Sequence, residues 1–293
     1  MKIDFKITEQ YSGKKVLYVL ENEMKLSGRL IKKLKSSGGI ILNGKPVRTV
    51  DFVNKGDILS VIIDFVEEVE IEPEYAEISI LYEDDCILAV NKEPGMPVHP
   101  SAGHPAGTLA NRVLAHFIKQ GLSIKVRPIN RLDKDTSGIV LFAKNAHIQE
   151  QIIHQMKENH VYKSYLGIVH GVFKPPEGII NLPIARKSGS IMERIIDPAG
   201  SPSITEYKTL EIHKDLSLVE FVLKTGRTHQ IRVHCKAMGH PLLGDWLYSD
   251  TQTDLIGRQA LHSHILAFDH PFNGQRIELL APLPKDMEKA LTV

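Results

Sequence analysis

Asp133 stands in the string Asn130-Arg131-Leu132-Asp133-Lys134-Asp135-Thr136-Ser137-Gly138, which runs straight into the apolar stretch Ile139-Val140-Leu141-Phe142-Ala143. A carboxylate is thus delivered just before a segment of strand character. Arg131 precedes it by two residues, and a turn-forming Thr-Ser-Gly follows. Such a loop can fix a carboxylate in a cleft, the usual setting for chemistry. A carboxylate so placed can serve as a nucleophile or as a base.

Two other stretches carry groups suited to assist it. Val161-Tyr162-Lys163-Ser164-Tyr165-Leu166-Gly167-Ile168-Val169-His170-Gly171 reads as a strand bearing Tyr165. Lys224-Thr225-Gly226-Arg227-Thr228-His229-Gln230-Ile231-Arg232-Val233-His234 alternates polar and apolar residues, which predicts a strand with Gln230, Arg232 and His234 on one side. It continues to Gly239-His240-Pro241-Leu242-Leu243-Gly244-Asp245.

The string around Asp133 resembles the R-L-D-x-x-T-S-G signature of pseudouridine synthases of the RluA type, which include enzymes acting on large-subunit ribosomal RNA. The second stretch is similar to that family's K-x-Y-x-A-x-V-x-G strand, with Gly167 for the usual Ala, and the third to its T-G-R-T-H-Q-I-R-V-H block. Asn91-Lys92 with Pro94-Gly95 resembles the N-K-P-x-G loop, with Glu93 inserted. These motifs occur in family order across roughly residues 78–285. Asn130 stands where a His is common.

The resemblance implies a cofactor-free isomerisation of uridine in RNA. The glycosidic bond to nitrogen breaks, the uracil turns, and a bond to carbon-5 forms. It makes Asp133 the catalytic carboxylate, acting either covalently or by removing the 2′ proton, and pairs it with Arg232. An arginine opposes the rise in pKa that desolvation would impose on the acid, and its planar fork stays protonated. Tyr165 offers a face for the displaced uracil and a phenol that could relay the carbon-5 proton. A pyrimidine within a helix is unreachable, so the target is unpaired or flipped out. Arg131 is placed to fill the vacated space or hold a flanking phosphate. Lys92, Arg186, Lys187, Arg194 and Arg227 are further candidates for phosphate contact, the loop at 186–190 having charge and flexibility suited to single-stranded RNA.

The 293 residues, 42% hydrophobic, suffice for two domains at about 150 residues each and for a substantial core. Charge is balanced, 36 basic against 35 acidic residues, so the whole chain gives no nucleic-acid signal. A local excess does: Lys25, Arg29, Lys32, Lys33, Lys35, Lys45 and Arg48 follow one another with no acidic residue between, whereas residues 64–77 are rich in carboxylates. The basic stretch could track phosphates, or simply solvate a helix face.

The elements expected to position the site follow from pattern. Strands are expected at 16–20, 40–42 and 58–63, with a helix opening near Ser27 and a hairpin turn at Asn43-Gly44. These first 70 residues resemble the small αL RNA-binding module fused to many enzymes of the family; Lys32 and Lys33 would lie on its basic helix. Residues 71–77 are expected to be an acidic linker, and 78–293 the catalytic domain. There, strands are expected at 87–90, 139–142, 165–169, 218–223 and 261–268. Helices are expected from Thr108, as N-cap, to 118 and over 146–156. Strands adjacent without intervening helices indicate an α+β fold with a mixed, largely antiparallel sheet.

Other chemistries fit less well. The D-x-D-x-S/T opening of haloacid-dehalogenase phosphatases follows its strand, whereas Asp133 precedes one. An aspartic protease needs a second D-T-G element. His262 with His264, and His229, His234 and His240, lack a metal-binding spacing such as H-E-x-x-H, so no metal is expected. Cys86 and Cys235 make neither a C-x-x-C pair nor a disulfide framework and are expected as buried thiols. No apolar run approaches the about 18 residues of a membrane span, no signal-type core follows Met1, and a cytoplasmic protein is expected. No obligate protein partner is implied. The competing reading, of another class, is a catalytically idle RNA-binding or ribosome-assembly protein; within the enzyme reading, transfer RNA is the alternative substrate.

Overall fold

The computed structural model describes residues 2–63, 69–101 and 103–292. Its first unit is a four-stranded antiparallel sheet in the order β1 (Lys2–Lys6), β4 (Ile58–Ile62), β2 (Ile40–Leu42), β3 (Lys45–Pro46). The β2–β3 hairpin turns at Asn43 and Gly44, whose φ values of 51° and 80° are the left-handed pair that a two-residue turn of this hand requires. Two helices pack on it: α1 (Val16–Asn22) and α2 (Gly28–Ser37), the latter ended by left-handed Gly38.

Helix α1 replaces the strand expected at 16–20. The branched residues favour a strand, but Val16, Val19 and Leu20 are the buried ones, a spacing of three and four that only a helix turns to one side. Tyr18 is left exposed.

The second unit is a ten-stranded sheet. Its elements are β5 (Ile80–Glu83), β6 (Ile87–Lys92), α3 (Leu109–Lys119), β7 (Arg127–Pro128), β8 (Ser137–Ala143), α4 (Ala146–Lys157), β9 (Tyr162–His170) and β10 (Glu177–Asn181). There follow β13 (Ile204–His213), β14 (Leu216–Leu223), α5 (Gln230–Ala237), β15 (Leu261–Asp269), β16 (Arg276–Leu280) and α6 (Lys285–Leu291). A separate hairpin, β11 (Ile184–Arg186) with β12 (Arg194–Ile196), stands beside it. The sheet runs β10-β13-β14-β9-β15-β8-β6-β5, with β16 on β15 and β7 on β8. This is the mixed, mostly antiparallel α+β architecture that the sequence indicated.

Strand β8 is buried along its whole length because both its faces are covered. Ile139, Leu141 and Ala143 pack with Ile148 and Ile152 of α4, while Val140 and Phe142 pack with Val113 and Phe117 of α3. Period-two alternation is therefore present but apolar on both sides. Helix α3 opens with a capping box between Thr108 and Asn111.

Among the described strands, β8 and β15 form the only parallel pair, through His262 with Ser137 and Ser263 with Gly138. Gly138 has φ 108°, and a β-carbon there would lie 2.2 Å from the Ser263 carbonyl oxygen. The glycine of the Thr-Ser-Gly string is thus required by close backbone approach.

Residues 64–68 lie outside the described residues. Beyond them, the chain is tied to α3: Asn111 Nδ2 donates to the Glu72 carbonyl, Glu74 N–H donates to the Asn111 carbonyl, and Arg112 pairs with Glu74 at 2.9 Å. Among the described residues no helix is long and apolar enough to cross a membrane.

Candidate active site

Asp133 lies on the loop between β7 and β8, closed by Thr136 N–H donating to the Asp133 carbonyl. The loop is held from three directions. At its start, the Asn130 amide donates to the Ile139 carbonyl at 2.9 Å and accepts from Leu141 N–H at 2.8 Å, taking a strand partner's place beside β8. Below, Lys92 Nζ donates to the carbonyls of Glu93, Met96 and Lys134 at 2.8, 2.9 and 2.9 Å. On a third side, Arg258 pairs with Asp286 through two bonds and donates to the Asp135 carbonyl at 3.0 Å.

The position of Lys92 corrects the expectation that it meets phosphate. It is 1% exposed, and all three ammonium protons are engaged by backbone. Burial pushes its pKa down to about 7, against which the charge of Asp135 works, while Arg258 adds to the fall and Asp133 again opposes it.

Arg232 reaches Asp133 as expected: Nη1 to Oδ2 is 3.1 Å. It does so from helix α5, correcting the predicted strand. In a strand, residues 230, 232 and 234 would share a face. On the helix, Gln230 and His234 share one and both bond the Thr205 hydroxyl at 2.9 Å, leaving Arg232 to point elsewhere. Its Nε and Nη2 make a fork onto both oxygens of Asp245, each at 2.7 Å. Burial works against the Arg232 charge, but the hydrogen bonds and charge of Asp245, then Asp133, outweigh it and raise its pKa. Asp245 is a missed member of the site; the Gly-Asp in the sequence offered no sign of which cation it would meet.

Tyr165 projects from β9 into the same cleft, 8% exposed. Burial lifts its pKa to about 12; a bond with Ser263 pulls the other way and the Asp133 charge adds to the rise. The phenol therefore keeps its proton at neutral pH and meets a base partner as a donor.

A second missed residue is His229. Its backbone is left-handed, φ 57°, at the start of α5, and its ring lies between Asp133 and Tyr248: Nε2 is 3.6 Å from Asp133 Oδ2, and Nδ1 is 2.9 Å from the Tyr248 hydroxyl. Burial lowers its pKa, with Asp133 opposing and Arg232 and Arg194 assisting. The Arg232 guanidinium stacks over the Tyr248 ring at 5.0 Å.

Asp133, Tyr165, His229 and Arg232 line a cleft of about 190 Å³, shared with Arg131, Leu132 and Arg227. That equals roughly six waters at ~30 Å³ each, a space suited to one planar base. Arg131 is exposed at its rim. A second cavity of about 330 Å³ adjoins through Arg227 and Thr228 and gathers Arg186 and Arg194. Lys187 turns aside to Glu193 at 2.7 Å. Lys32 and Lys33 are exposed on α2 and are not part of either cavity; Lys33 borders a larger cleft, about 800 Å³, with Arg29 and Arg127.

The histidines singled out for metal do not converge. His262 contacts Ser137 Oγ and the Ala281 carbonyl, His264 the same carbonyl, and His240 the His170 carbonyl. Asp84, Cys86 and His270 do lie together, but Asp84 accepts from the Cys86 and Ile87 amides and from the Tyr82 hydroxyl, which fills its carboxylate as a turn would. Both cysteines are buried, and no disulfide joins them.

The sequence model of the family described as RNA pseudouridylate synthase matches residues 86–237. An uncharacterized RNA pseudouridine synthase of Bacillus subtilis, YjbO, is 40% identical over 92% of this chain and 95% of its own. A ribosomal large subunit pseudouridine synthase D of Neisseria meningitidis is 36% identical over 87% of this chain and 72% of its own. Among solved structures, human RNA pseudouridylate synthase domain containing 1 superposes with a TM-score of 0.60 at 28% identity, covering 72% of this chain and 86% of its own. The fold, the matched motifs and these relatives agree: the chain belongs to the RNA pseudouridylate synthases, enzymes that isomerise uridine within RNA.

Proposed function

We propose that this enzyme converts uridine to pseudouridine in large-subunit ribosomal RNA, with Asp133, Tyr165 and Arg232 as its catalytic groups. The observation that carries the reading is the Asp133 carboxylate, half-buried, held by Arg232 at 3.1 Å and facing Tyr165 in a base-sized cleft. The reaction needs no net gain or loss of atoms: the C1′–N1 bond is exchanged for C1′–C5, N1 gains a proton and C5 loses one. Asp133 begins it, by attack or by taking the 2′ proton. Arg232 gives that carboxylate a fixed counter-charge and aims it, which is electrostatic preorganisation. Tyr165 backs the uracil while it turns.

Arg131 at the rim, with Arg227 and Arg186 in the adjoining cavity, would hold flanking phosphates, and the fork geometry of arginine suits that duty. Ribosomal RNA as substrate is supported by the synthase D relatives and by the basic α2 face carrying Lys32 and Lys33. A division into residues 1–70, 71–77 and 78–293 is supported by the two separate sheets. A substrate in ribosomal RNA would support a cytoplasmic location.

The test is mass-spectrometric nucleoside mapping of ribosomal and transfer RNA from cells lacking the protein, restored with wild type or Asp133→Asn. Loss of a ribosomal pseudouridine that only wild type restores is the expected result. A site found in transfer RNA would reassign the substrate, and no change in either class would overturn the reading.

A further inference from the structure

His229 belongs to none of the roles above, yet it faces the reacting carboxylate and occupies a strained position. A non-glycine residue at φ 57° is uncommon, and such outliers cluster where geometry serves function. Here the strain aims the imidazole into the cleft rather than along α5.

The hydrogen bonds around the ring fix which nitrogen holds the proton. Arg194 N–H donates to the Tyr248 hydroxyl oxygen at 2.8 Å. The phenol's own proton is then available for His229 Nδ1, 2.9 Å away. On the other side of the ring Nε2 meets Asp133 Oδ2, and an ionised carboxylate only accepts. Both ends demand one arrangement: Nδ1 accepts from Tyr248, and Nε2–H points at Asp133. The groups that face the ring are Asp133, Arg232, Arg194, Asp245 and Tyr248; burial dominates among their effects and keeps the ring neutral.

We infer that His229 is a positioning residue for Asp133: locked by Tyr248 with its proton on Nε2, it joins Arg232 in holding one carboxylate oxygen, Oδ2, so that Oδ1 is the oxygen presented to the nucleotide. Arg232 Nη1 and His229 Nε2 both address Oδ2. At 3.6 Å the imidazole contact is electrostatic rather than a hydrogen bond, and contacts of this kind tighten when substrate closes the site. Had either donor addressed Oδ1, the carboxylate would have to give up a bond at the moment it reacts.

The inference rests on the proposed role of Asp133, so its test has one arm that needs no substrate. Nitrogen-15 NMR of the histidine rings in the full-length protein reads the tautomer directly, His229→Gln serving to assign the signal. An Nε2–H ring in wild type that becomes mixed in Tyr248→Phe is expected; an Nδ1–H ring in wild type overturns the inference whatever the RNA. The kinetic arm uses an in vitro transcript of large-subunit ribosomal RNA under single turnover from pH 5.5 to 9. His229→Ala should slow the step about 100-fold, the scale of a misaimed reacting group, with RNA affinity within about three-fold. His229→Gln, whose amide still offers an N–H, should recover part of that rate. Tyr248→Phe should move the acid limb of the rate profile to higher pH, because the ring loses the donor that favours its neutral form. An unchanged rate in His229→Ala, or equal losses in Ala and Gln, overturns the inference. If wild type itself leaves this transcript unmodified, the substrate reading fails separately and the NMR arm decides.

Discussion

Of the three buried cations around the Asp133 loop, Lys92 and Arg232 hold it in opposite ways. Lys92, beneath, touches only backbone: three carbonyls, one of them that of Lys134 beside the catalytic position. Arg232, on the cleft side, hydrogen-bonds carboxylates, with a two-pronged bond to Asp245 and one bond to Asp133, while its plane lies over the Tyr248 ring. Lys92 has no carboxylate in contact among the described residues and sits near the edge of its charged range, with a pKa of about 7. Arg232 is raised above the ordinary arginine value. The chain's path is thus fixed by neutral dipoles around a compact ammonium, while the reacting side chain is fixed by a permanently charged planar group. Placement of backbone and placement of chemistry are separate tasks here, given to the two cations whose chemistry suits each.

The sharpest way to break that division is Arg232→Met. It leaves Asp245, whose side chain is fully buried, without its cation and with only the Leu247 and Tyr248 amides as donors, so stability should fall by roughly 3–5 kcal/mol and activity vanish; urea unfolding and pseudouridine formation measure the two. Lys92→Met comes next. Three carbonyls lose their donor, stability should drop by about 3 kcal/mol, and rate should fall with it, because the loop backbone rather than the carboxylate has been released. Suppressing that loss by a stabilising mutation elsewhere should not restore rate if the loop itself has moved.

A pH series sharpens the comparison from the β8–β15 junction. Burial holds His262 at about 4 against an ordinary 6.5. The unfolded chain therefore binds a proton that the folded one refuses as pH falls through 6.5. Stability from this residue should decline between pH 6.5 and 4, by up to about 3 kcal/mol, and be fully present above 6.5. Chemical denaturation of wild type and His262→Gln checks the slope, which should flatten in the variant. The smallest effect belongs to the exposed rim. Arg227→Ala should weaken RNA binding about three-fold and reduce the salt slope by roughly 0.7, leaving stability within about 0.5 kcal/mol.

The sequence revealed what depends on short spacing. Asp133 before an all-apolar strand, the Asn43-Gly44 hairpin, the Thr108 cap and the antiparallel sheet were each legible because the signal lies within a few residues. It misled where burial cut across residue type. In residues 230–234, polar and apolar residues alternate as in a half-exposed strand, yet all five are buried on a helix, so alternation ceased to report exposure. Lys92 looked like a surface charge because its three acceptors are backbone atoms, which leave no trace in sequence. Asp245 and His229 stood within the quoted motifs, but their partners come from segments up to 96 positions away, and no spacing rule reaches that far.

Ser137 and His262, bonded across the parallel junction, are 125 residues apart, and the Arg258 fork to Asp286 closes over the Asp135 carbonyl from the last helix. Closing so long a loop is slow relative to local contacts. During synthesis, the catalytic string leaves the ribosome well before the strand and helix that clamp it. The Asp133 loop therefore lacks two of its clamps until residues 258–286 have been made and have docked, so the order of synthesis sets the order in which the cleft is assembled.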